Sequence, residues 1–92
     1  MIKGIYAIRD ILIGFHDPFI MVSDEVALRA FVNAACSDQP TIANENPADT
    51  ALFKLAEFDT QSGEIHPCSL QMLCTSVEAI AKKERKNVQK PD

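Results

Sequence analysis

Tryptophan is missing from this 92-residue chain, tyrosine occurs once and aromatic residues make up 7% of it, so any core must be mainly aliphatic. Glycine is as scarce: Gly4, Gly14 and Gly63 lie too far apart to form a phosphate-cradling loop. The three cysteines, Cys36, Cys68 and Cys74, are odd in number and too sparse for a secreted disulfide scaffold, which predicts free thiols in a reducing compartment. No apolar run approaches the ~20 residues of a membrane span, and a single Lys3 before a strand-like segment does not make a signal peptide. The expectation is a cytosolic protein with no membrane contact.

Chemistry-bearing clusters are equally thin. His66, Cys68 and Cys74 form an H-x-C-x5-C spacing that matches no common zinc pattern, and no fourth ligand stands nearby, so no metal is expected. Cys68 with His66 lacks an orienting third group and oxyanion donors for nucleophilic catalysis. The carboxylates are scattered over turns, helix starts and surface positions, where solvation accounts for them. The chain therefore reads as a non-enzyme with no catalytic residue and no cofactor.

What the chain does have is enough apolar content, 47%, to build one small domain, with a thin margin of stability at this length. A sheet of few strands at this size makes homo-oligomerisation, a dimer first, a ready way to cover an edge. The net charge of −4 conceals an asymmetry, because residues 1–81 carry four basic against eleven acidic side chains and residues 82–92 five against two. The expected organisation is one α+β domain over residues 1–81 and a basic C-terminal extension over 82–92, frayed from Asn87 onward.

Ile2 to Ile8 is dense in β-branched and aromatic residues on both parities, as in a central strand covered on both faces. Ile11, Ile13 and Phe15 resume with period two after Arg9 and Asp10, which predicts a continuation or a second strand after a bend, ended by Pro18. Phe19 to Val22 is too short to classify. Ser23 is a helix N-cap signal, with Asp24 and Glu25 at the positive end of the dipole and Leu28, Phe31, Val32 and Ala35 along one stripe. Ser37 to Asn46 lacks periodicity and reads as a loop, and Asn46 to Asp49 as a turn.

Leu52 to Phe58 and Glu64 to His66 form a β-hairpin through the turn Asp59 to Gly63, where Asp favours the start and Gly accepts positive φ near the end. Strict alternation puts Phe53, Leu55 and Glu57 on one face and Leu52, Lys54, Ala56 and Phe58 on the other, neither of them clean. Leu70, Leu73, Val77 and Ile80 predict a second helix between Ser69 and Ala81, strongest from Val77 to Lys86. The fold class is α+β: a small, mainly antiparallel sheet of the N-terminal strand and the hairpin, packed by one amphipathic helix, with a second helix at the C-terminus.

Single-stranded nucleic acid requires cations for phosphates and aromatics for bases. The candidates are Lys3, Tyr6, Arg9 and Lys54 on the sheet and Lys82, Lys83, Arg85 and Lys86 in the tail, although the acidic body opposes a polyanion and a tyrosine such as Tyr6 is more often a core or interface residue.

The segment IYAIRDILIGF with Pro18, and the later NPADTALFKLAEFDTQSGEIHP, resemble the small nonstructural protein of gokushoviruses, single-stranded DNA bacteriophages of the Microviridae. The likeness rests on Tyr6 to Asp10, on Gly14, Phe15 and Pro18, on Pro47 and Asp49, and on Leu52-Phe53 leading through Glu57, Phe58 and Asp59 to Gly63. It covers most of residues 3–67, and the basic tail borrows no role from it. The resemblance implies a non-capsid accessory protein of the host bacterial cytoplasm that binds single-stranded DNA during genome replication or packaging. The alternative is an interaction module that holds a viral or host replication factor through a sheet edge. A positive groove favours the first reading, an apolar patch the second.

Overall fold

The structure is a computed structural model that describes residues 1–89, with side chains through Lys83. Its α+β architecture follows the order β1 (Ile2–Asp10), β2 (Gly14–Phe15), β3 (Phe19–Met21), α1 (Asp24–Ala35), α2 (Ile42–Glu45), β4 (Thr50–Asp59), β5 (Ile65–Thr75) and α3 (Ser76–Gln89). The antiparallel sheet has the order β2-β1-β4-β5, with β3 paired to the same edge of β1 as β2. β1 is thus central, as its two-sided apolar pattern predicts.

All three helices pack on one face. Tyr6, Leu52 and Cys74 rise from β1, β4 and β5 into a cluster with Ala27, Phe31 and Ala35 of α1, Ala43 of α2 and Ala79 of α3. The N-cap prediction holds: the Ser23 side chain accepts a hydrogen bond from the Val26 N–H at 3.2 Å. The most buried line of α1 is Ala27, Phe31 and Ala35, with Leu28 and Val32 half-buried beside it.

Two expectations are corrected. The second hairpin strand does not stop at His66 but continues to Thr75, and the helix begins only at Ser76. A capping box fixes that boundary: Thr75 Oγ1 accepts from the Glu78 N–H and Glu78 Oε1 from the Thr75 N–H, both at 3.0 Å. Leu70 and Leu73 are therefore strand residues. In the segment read as a loop, residues 42–45 form α2, capped reciprocally by Thr41 and Asn44, and the Asn44 amide also ties down the carbonyls of Ala34, Ser37 and Gln39. At the C-terminus, helix backbone continues through Gln89, and residues 90–92 of the segment expected to fray lie outside the described residues.

The hairpin faces are also reassigned. Ala56 opposes Ile5 while Lys54 opposes Tyr6, leaving Leu55 without a partner on β1. This bulge inverts the alternation downstream, so Phe53, Ala56 and Phe58 share one face and Leu52, Lys54 and Glu57 the other. Both faces become cleaner than strict alternation makes them.

Candidate nucleic-acid interface

Because residues directly opposite on antiparallel strands share a face, the register fixes what lies on the side of the sheet away from the helices. Lys3 pairs with Phe58, Ile5 with Ala56 and Ile20, Ala7 with Phe53, Arg9 with Ala51 and Phe15, and Phe53 with Met72. Among the described residues no helix covers this face, and Phe15, Ile20 and Met72 are exposed on it. Its only charged strand residues are the cations Lys3 and Arg9; every strand carboxylate lies elsewhere.

Arg9 is the focus. Its guanidinium carbon stands 5.8 Å from the Phe15 ring centre and 6.0 Å from that of Phe53, and the two rings meet edge to face at 5.6 Å. Cation–π attraction to both ring faces holds the exposed guanidinium over the sheet. Gly14, at φ +111, makes the turn that brings Phe15 back beside Arg9. The arrangement offers a cation to a phosphate and ring edges and faces to a base.

The other sheet candidates point the opposite way. Tyr6 is fully buried among the helices, and its hydroxyl donates to Asp24 Oδ1 at 2.6 Å. Burial, the hydrogen bond and the nearby carboxylates push the phenol pKa well above its ordinary value. With no ring face in solvent, Tyr6 is a core residue and has no surface on which a base could stack. Lys54, opposite Tyr6, is paired with Asp24 at 3.2 Å and Glu57 at 3.4 Å. Burial works against its charge, but the hydrogen bond and charge of Asp24, with Glu57 behind, outweigh it and raise the pKa. Its charge is spent on docking α1 to the sheet.

Lys82 and Lys83 are exposed on α3, which packs in the helix layer, so they do not join Lys3 and Arg9 in one patch. Arg85 and Lys86 sit on the same helix, their side chains outside the described residues. The metal candidates are dispersed too: His66 and Cys68 are exposed on β5, whereas Cys74 is buried under the helices, where desolvation raises its thiol pKa. Sequence reasoning misses Phe15 and Phe53, although the alternation Ile13, Phe15 and the pair Leu52-Phe53 already mark them as strand aromatics.

Among the described residues no helix is long and apolar enough to cross a membrane. No curated protein and no solved structure matches the chain. A family model does, over residues 3–79, a span that includes the sheet from Lys3 onward and the start of α3. It is the model of the Phage ORF5 protein, and the chain accordingly belongs to that family of phage proteins.

Proposed function

We propose that this phage protein is a non-enzymatic accessory factor, of gokushovirus type, that binds single-stranded viral DNA in the host cytoplasm during genome replication or packaging. The helix-free sheet face is the binding surface, with Arg9 and Lys3 on phosphates and Phe15 and Phe53 against bases. One observation carries the reading: on an acidic protein, this face holds two cations, a paired set of phenylalanine rings and no strand carboxylate. A polyanion meets attraction there and repulsion from most of the remaining surface, which gives binding one orientation. Lys82, Lys83, Arg85 and Lys86 are a second, separate contact. The test is titration of a labelled short oligothymidylate at two salt concentrations. Binding that weakens steeply with salt supports the reading, and no binding at low salt overturns it.

A second reading, a protein-interaction module, draws on the apolar share of the same face, where Ile20 and Met72 are exposed. Its surface would be the face and not the outer edge, because β5 is guarded there by Pro67 and by a bulge that sets Cys68, Ser69 and Leu70 opposite Leu55 alone. Pull-down from infected cells after nuclease treatment separates the two: a DNA-mediated association vanishes and a direct one persists.

A further inference from the structure

Lys3 and Arg9, the cations of the helix-free face, stand near opposite ends of β1, about 20 Å apart along the strand. Each lies beside aromatic rings from a neighbouring strand. Arg9 has Phe15 and Phe53, whereas Lys3 is directly opposite the half-buried Phe58 on the same face, with the exposed Ile65 beyond it on β5. Between these two stations the surface is low. Ala7 and Ala56 are buried there and Ile5 is half-buried, while Phe15 and Ile20 flank β1 on one side and Phe53 and Phe58 on the other. The face is thus a shallow apolar trough along β1 with a cation towards each end.

We propose that single-stranded DNA lies along this trough, aligned with β1, and that Lys3 with Phe58 forms a second binding station, filled only by strands long enough to reach it from Arg9. The inference rests on the proposed DNA binding and specifies the length and path of what is bound. The path follows from the charges. Both cations are on β1, and among the described residues no other strand places one on this face, so DNA crossing β1 at right angles would meet Arg9 or Lys3 but not both. A stacked strand rises about 3.4 Å per nucleotide, which makes the ~20 Å between the cations about six steps, and a strand unstacked onto the rings covers it in fewer. A footprint of up to about seven nucleotides falls within the ~4–16 of single-strand-binding folds. Arg9 then holds one phosphate and Lys3 another, with bases stacked at Phe15 or Phe53 and at Phe58. Once a strand is held at Arg9 its capture at Lys3 is intramolecular, so affinity climbs with length until both stations are filled. A second copy stacked face on face is a poorer occupant, because it brings cations and no strand carboxylate to a face that is itself cationic.

The experiment titrates the unaltered chain, Lys3→Ala, Phe58→Leu and Arg9→Ala with oligothymidylates of ~2 to ~12 nucleotides, a range that brackets the footprint, and reads affinity and amide chemical shifts. Phe58→Leu keeps an apolar side chain and removes the ring. For the unaltered chain, affinity per site is expected to climb with length and level off at about seven nucleotides, with the amides around Lys3 and Phe58 shifting most on strands that fill the trough. Lys3→Ala and Phe58→Leu each end the climb early, so their deficit grows with length and reaches about fivefold or more on the longer strands. A deficit that is equal at every length, or none, overturns the second station, and the DNA reading survives that result if Arg9→Ala still weakens binding. No binding at any length overturns the DNA reading and the second station with it. Thermal unfolding of each variant is followed alongside, and if Phe58→Leu does not fold, Lys3→Ala, which alters a partly exposed side chain, decides alone.

Discussion

At the scale of single residues, the most telling group is the one nearest to Tyr6. Its ring lies back along β1 over Gly4, so that a methyl group added at Gly4 would overlap the phenol. A glycine inside a central strand here answers a need for space. Gly4→Ala is expected to lower stability by about 1–3 kcal/mol in a denaturant titration, as overpacking does. Tyr6→Phe keeps the packing and removes the hydrogen bond to Asp24, an expected loss of about 1–2 kcal/mol. That bond, then the ammonium of Lys54, holds the Asp24 carboxyl below its ordinary pKa of 3.8. A carboxylate with a lowered folded-state pKa contributes stability that is fully present above the unfolded value and is lost as pH falls through the folded one. Thermal unfolding followed below pH 5 should therefore show an acid loss that Asp24→Asn reduces; an unchanged acid limb would remove Asp24 from the account.

At the scale of elements, two boundaries decide the architecture. The Thr75–Glu78 capping box starts α3 and thereby leaves Ser69 to Thr75 to the sheet. Thr75→Ala should cost about 1 kcal/mol, read as a lowered unfolding midpoint with an unchanged slope. Phe31→Ala, at the centre of α1's buried line, should cost about 3–5 kcal/mol, a large part of the stability of a domain this small. Much of this level is legible in the sequence: the central first strand, the Ser23 cap, the amphipathic α1 and the turn closed by Gly63. The T-x-x-E signal at Thr75 is equally local, yet the spacing of Leu70, Leu73, Val77 and Ile80 mimics a helix across the boundary and hides it. The bulge at Leu55 is not legible, because it is created by pairing with β1 and β5, and pairing is a tertiary choice that no local spacing records. Missing it scrambles the faces and places Lys54 on the same side as Phe58, when it belongs beside Asp24. That Tyr6 is more often a core or interface residue is legible, but which face it takes is not, since a central strand has two covered faces and parity alone does not say which one the helices pack on.

At the scale of the whole molecule, charge and shape are segregated. Three helices take one side of the sheet, the strand carboxylates Asp10, Glu57 and Asp59 lie on that side, and the free side keeps Lys3, Arg9 and the phenylalanine pair. The central claim is that this side binds single-stranded DNA, and titration of a short oligothymidylate at two salt concentrations, for the unaltered chain, Arg9→Ala and Phe53→Ala, tests it most directly. The account predicts binding that weakens with salt, a salt slope smaller by about one for Arg9→Ala, and a loss of about 1–3 kcal/mol for Phe53→Ala from the missing stack. Absence of binding at low salt, or binding that neither substitution changes, would contradict it.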